Sequence, residues 1–185
     1  MPKHVFLSLL VAVCSLFFIT TNVIAQADPP KVEVGAFLTV PKLGGTFETK
    51  PIGFGGRFSY NLTNYLAFDT EGAYFPYYFE DFGQAQAFFG VKAGKRFGPV
   101  GLFVKVRPGL FRDFVARLDR SHQNFFALDA GGVLEVYPAR HILLRLDVGN
   151  TTVAYNGVTI SSGLGARQVK TSNSMQTSVG FGVRF

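Results

Sequence analysis

Met175-Gln-Thr-Ser-Val-Gly-Phe-Gly-Val-Arg-Phe185, "MQTSVGFGVRF", divides into two interleaved sets. Met175, Thr177, Val179, Phe181, Val183 and Phe185 are apolar or nearly so, and Gln176, Ser178, Gly180, Gly182 and Arg184 alternate with them. Successive side chains of a strand point to opposite faces, so a period of two over this length reads as β-strand with one apolar and one polar face. The stretch closes on Phe185, an apolar residue with no polar tail after it. A strand that ends so needs something apolar against it.

The same alternation recurs along the chain. Ile52, Phe54, Phe58, Tyr60 and Leu62 alternate with Gly53, Gly55, Arg57, Ser59 and Asn61. Eight such strands are expected, at 31–40, 52–62, 65–76, 84–97, 100–111, 122–137, 141–154 and 173–185. The 21 Phe, 7 Tyr and 21 Gly suit strands and tight turns. Short connections follow every second strand: "NLTN" at 61–64, "FGPV" at 97–100 and "YPARH" at 137–141. The others are longer, at 41–51, 77–83, 112–121 and 155–172. With strands running alternately up and down, the short turns gather at one end and the long loops at the other.

The first residues have a different character. Lys3 and His4 precede an apolar run from Val5 to Ile19, and Ala25-Gln26-Ala27 offers a small-x-small cleavage site. The run is about 15 residues, short of the roughly 20 that a spanning helix needs. Residues 1–27 therefore read as a secretory signal peptide and 28–185 as one domain. The sole cysteine, Cys14, falls in the leader, which excludes disulfide and thiol chemistry from the rest. Without Lys3 the net charge falls from +6 to +5.

Where the charges sit decides which face meets which solvent. The polar strand faces carry Glu33, Arg57, Asp69, Glu71, Lys92, Lys105, Arg107, Asp129, Glu135, Arg145, Asp147 and Arg184, six acids and six bases. A solvated outer surface has no reason to balance so closely, whereas a narrow interior must pair its charges. The opposite faces carry Phe89, Val91, Leu102, Val104, Val106, Leu128, Leu134, Leu144, Leu146 and Val148. A soluble eight-stranded barrel would place that set inside, where it has no room for it. A charge at mid-bilayer costs about 2–4 kcal/mol, so twelve could not face lipid. The expectation is a closed, antiparallel, eight-stranded transmembrane β-barrel, apolar outside and polar inside.

The surplus charge then lies at the rims: +2 at the loop end, and +3 at the turn end from Lys31, Lys95, Arg96 and Arg140 against Asp28. Aromatic girdles are expected at the same levels. Tyr60, Tyr65, Phe97, Tyr137 and Phe185 would form one; Tyr74, Tyr77, Tyr78, Phe79, Phe111, Phe114 and Tyr155 the other. Gly53, Gly55, Gly94, Gly101, Gly149, Gly180 and Gly182 face inward and are expected to leave water-sized space.

With its leader, eight strands and terminal aromatic, the chain resembles the small outer-membrane β-barrels of Gram-negative bacteria, close to the transmembrane domain of outer-membrane protein A. "GFGGRFSYNLTNYLAFDTEGAYF" at 53–75 is similar to a common hairpin of that group. Ser178, Gly180, Val183 and Phe185 match the group's C-terminal assembly signal. The resemblance implies an outer-membrane location, insertion by the barrel-assembly machinery, short turns in the periplasm and long loops outside. It implies contact with outer-membrane lipid and lipopolysaccharide, and no cofactor or nucleic acid. The periplasmic peptidoglycan-binding domain of outer-membrane protein A has no counterpart here, so wall anchoring is not implied.

Chemistry is sparse. Lipid A deacylases resemble a His-x-Ser arrangement with a Glu; the residue two after His122 is Asn124, and His141 lies in a tight turn. "GVKAGKRFG" at 90–98 lacks the Walker glycines. No His, Cys and carboxylate cluster has metal-ligand spacing. Arg112, Arg117 and Arg120 offer loop contacts to lipopolysaccharide phosphates or an external partner. The expected role is structural or surface interaction with a charge-plugged interior; the alternatives are a narrow pore or small-solute carrier and, third, a lipid-modifying enzyme.

Overall fold

The computed structural model describes residues 30–43, 52–76, 82–115, 123–162 and 165–185, so the expected leader and its cleavage site lie outside the described residues. Eight strands form a single closed ring: β1 Val32–Leu43, β2 Gly53–Asn61, β3 Leu66–Phe75, β4 Phe82–Phe97, β5 Val100–Val115, β6 Gln123–Ala139, β7 Ile142–Ser162 and β8 Gly165–Arg184. Every neighbouring pair is antiparallel, and β1 pairs with β8 from Glu33↔Arg184 to Leu43↔Ser174. Val32 and Phe185 exchange backbone hydrogen bonds at 3.2 and 2.9 Å, so no sheet edge is left at the seam.

The turns are short for local reasons. In β4–β5, Gly98 takes a φ of 60°, a left-handed conformation that glycine adopts without Cβ strain, and Pro99 follows it. In β2–β3 the Thr63 hydroxyl accepts the N–H groups of Tyr65 and Leu66 at 3.1 and 3.0 Å. In β6–β7 the register shifts between Val136 and Ala139 around Pro138, which has no N–H to give a ladder.

Burial alternates as the two-residue period requires. Leu102, Val104, Val106 and Leu110 are exposed on β5, while Phe103, Lys105, Arg107 and Gly109 face inward. The exposed set continues round the ring through Leu128, Leu144, Leu146, Val179, Phe181 and Val183. Water does not tolerate such a continuous apolar belt; hydrocarbon does.

Three expectations need correction. The loop expected at 155–172 is mostly strand: β7 and β8 stay paired to Ser162↔Gly165, with a register shift between Ala154 and Val158. The interior glycines do not simply leave empty space. A Cβ on Gly55 would lie 2.5 Å from the Phe37 ring, and one on Gly109 2.5 Å from Phe88, so aromatic rings occupy the room the glycines make. The apolar residues are also not all outside. Phe37, Ala73 and Phe75 form one buried interior cluster; Phe88, Phe111, Phe125, Ala127 and Val153, with Tyr155 packed against them, form another. Phe111 and Tyr155 therefore leave the expected loop-end girdle.

Candidate functional site

The interior is the most heavily determined part of the molecule. All twelve charged residues of the polar strand faces are buried within the ring, none more than 8% exposed. Their inward position follows from parity: Lys105 and Arg107 share a face with Phe103, and Arg145 and Asp147 share one with Leu143.

The network has two linked parts. In the first, the Lys92 ammonium sits between Glu33, at 2.9 Å, and Glu135. Arg184 donates to Glu33 at 3.2 Å, and the Asn61 amide donates to it at 3.0 Å. In the second, Arg145 donates to both oxygens of Asp69 at 2.8 and 2.9 Å and to Asp147 at 2.9 and 3.0 Å. Arg107 reaches Asp69, Glu71 and Asp129 at 2.8, 3.0 and 2.6 Å. Arg57 bridges Glu71 and Asp147 at 2.9 and 2.8 Å, and Lys105 bridges Asp129 and Asp147 at 3.0 and 3.2 Å. Arg145, 3.6 Å from Glu135, links the two parts.

Topology gives these distances their meaning. Asp69 is on β3 and Arg145 on β7, opposite strands of an eight-membered ring, so their bidentate pair crosses the lumen. Glu33 on β1 and Lys92 on β4 are three strands apart. The Arg57 Nε has no protein partner, and Arg57 lines a cavity of about 10 Å³, about the size of one water.

Two members were missing from the expected network. Arg96, assigned to the outer rim, shares the parity of Lys92 and points inward, donating to the Asn61 side chain at 2.9 Å and to the Tyr137 hydroxyl at 2.9 Å. Tyr137, assigned to an aromatic girdle, shares the parity of Glu135 and hydrogen-bonds its carboxylate. Asp113 also follows the inward face and accepts from Gln84 at 3.1 Å. Adding Arg96 and Asp113 leaves seven bases against seven acids. Removing the hydroxyl that links Arg96 to Glu135, by Tyr137→Phe, is expected to lower stability by about 1–2 kcal/mol without altering the fold, read from the urea unfolding midpoint.

Uncharged polar groups line the lumen elsewhere. Gln176 donates to the Thr39 hydroxyl at 2.6 Å and accepts from Thr151 at 3.0 Å, and Ser178 donates to Thr39 at 2.9 Å. Ser178 is thus an interior residue and Gly180 lies on the same face, whereas Val183 and Phe185 are exposed outside. Of the expected loop contacts, Arg112 lies on the outer face with its guanidinium 5.3 Å from the Phe114 ring; Arg117 and Arg120 lie outside the described residues. So does His122. His141 is exposed, with Nδ1 2.9 Å from the Arg184 carbonyl oxygen. Among the described residues no group of three His, Cys, Asp or Glu is placed to hold a metal.

By sequence, no family model and no curated protein matches this chain. Solved structures do match in shape. Neisserial surface protein A is similar with a TM-score of 0.62 and 17% identity, over 86% of this chain and 100% of that one. The N-terminal β-barrel domain of OprF from Pseudomonas aeruginosa has a TM-score of 0.55 and 14% identity over the same shares. Ail, the attachment invasion locus protein of Yersinia pestis, has a TM-score of 0.54 and 16% identity, again over 86% of this chain and 100% of its own.

Proposed function

We propose that this chain, whose fold is that of the small eight-stranded outer-membrane β-barrels, resides in the bacterial outer membrane as a structural or surface-interaction protein. Its tight turns face the periplasm and its longer connections face outward. The observation that carries the reading is the bidentate Arg145–Asp69 pair across the full width of the barrel. A conducting lumen needs a continuous wet path, and these side chains occupy it. The interior aromatic cluster of Phe88, Phe111 and Phe125 adds apolar packing on the β4–β7 side of the lumen. An interior so committed leaves the rims and the outer connections for contacts with lipopolysaccharide or other partners, with Arg112 on the outer face as one candidate.

Planar-bilayer recording of the refolded protein tests it. A silent bilayer, with the protein migrating faster unboiled than boiled on a denaturing gel, is the expected result. Stable, discrete openings from heat-modifiable protein would replace this reading with a narrow pore.

A further inference from the structure

We propose that the turn-end rim of the barrel is a binding site for anionic phospholipids, with Lys31, Lys95 and Arg140 each holding a headgroup phosphate. This rests on the membrane-spanning reading above. Among the described residues whose exposure is given, these three are the only exposed Lys, Arg, Asp or Glu side chains, and all lie at the same end. The acidic side chains nearest that end among the described residues, Glu33 and Glu135, are buried against Lys92. Among the described side chains the exposed ionic groups there are all cationic, with the Phe185 carboxylate beside Lys31 the one anionic group of the described backbone at that rim.

The three cations stand at different corners of the ring. Lys31 precedes β1, Lys95 lies near the end of β4, and Arg140 lies in the β6–β7 turn. Two of them lie two residues from an exposed apolar side chain of the belt, Lys95 from Phe97 and Arg140 from Ile142. Lys95 is on the outward face, its ammonium 5.5 Å from the centre of the exposed Phe97 ring. Tyr65, 59% exposed, is held beside it by the Gly94 N–H donating to the Tyr65 carbonyl at 2.8 Å. Lys31 adjoins Val32, which pairs with the exposed Phe185. A long cationic stem flanked by interfacial aromatics places its charge at headgroup depth while its methylenes stay in the apolar layer. A lipid phosphate supplies both the negative charge and the acyl chains for the leucines and aromatics below; a free phosphate supplies only the first.

Native mass spectrometry of the full refolded chain, in detergent micelles doped equally with phosphatidylglycerol and phosphatidylethanolamine, tests this. The protein is expected to retain phosphatidylglycerol preferentially, by about fivefold for each cation engaged. The Lys31→Gln, Lys95→Gln, Arg140→Gln triple variant is expected to retain the two lipids equally. Equal retention by the parent protein, or an undiminished preference in the triple variant, would overturn the site. Inorganic phosphate added in excess is expected to leave the lipid adducts in place; displacement would assign the cations to soluble phosphate and refute the lipid assignment. Heat-modifiable migration is run on the same samples. Its loss in the parent protein sinks the membrane-barrel reading itself, whereas its presence without lipid preference sinks the rim site alone.

Discussion

Replacing Arg145 with methionine is expected to destabilise the barrel by about 3–5 kcal/mol, the usual cost of leaving buried charges without their partner. Arg145 serves Asp69, Asp147 and, at 3.6 Å, Glu135. Asp147 keeps Arg57 and Lys105, and Asp69 keeps Arg107, so the network survives but carries an uncompensated negative charge. Methionine roughly replaces the volume, which separates charge from cavity. Folding midpoints in urea, read from gel mobility in lipid vesicles, give the measurement. Pairing Arg145→Met with Asp69→Asn is expected to cost less than the two single changes together, because residues in one ionic network couple by about 0.5–3 kcal/mol. A cost below about 1 kcal/mol for Arg145→Met would mean that water reaches these groups, and the plugged interior would have to be abandoned.

The second large effect is on the outside. Val106→Arg is expected to cost about 2–4 kcal/mol in a bilayer. Val106 is 50% exposed near the middle of β5, between the exposed Val104 and Leu110. On a water-soluble barrel the same change would fall within about 0.5 kcal/mol of neutral. The pair of experiments therefore forms a test of inside against outside. Charge removed from the lumen and charge added to the belt both destabilise only if the protein is polar within and faces lipid without.

Much of this was legible in the sequence because charged side chains reveal strand parity more sharply than apolar ones do. Lys105, Arg107, Asp129, Arg145 and Asp147 each sit two residues from another interior position, and an ionised group has one acceptable side in a bilayer. Arg96 and Tyr137 were misplaced for the opposite reason. Their closeness to turns suggested a rim, although the parity they share with Lys92 and Glu135 already placed them inside. The interior phenylalanines were hidden because an apolar residue is acceptable on either face. Their signal is the glycine across the ladder: Phe37 lies over Gly55, and Phe88 over Gly109. The outer reach of β7 and β8 is not legible because the two-residue alternation fades there. "YNGVTISS" at 155–162 carries small and polar residues at both parities. Backbone pairing continues there without the pattern that advertises it.

The Glu33–Arg184 contact, spanning 151 positions along the chain, has a kinetic consequence. Until the last strand docks on the first, Glu33 lacks Arg184 and the ring cannot close. Arg145 on β7 must likewise wait for Asp69 on β3, 76 positions earlier. Contacts of such long range pay their loop-closure entropy before they return any energy. A partly assembled sheet would hold a dozen charges facing one another across a gap, neither hydrated as in water nor paired as in the finished barrel. Such a sheet is a poor resting place, so the last steps of assembly are expected to run together, with no partly closed barrel accumulating in time-resolved gel-mobility folding assays.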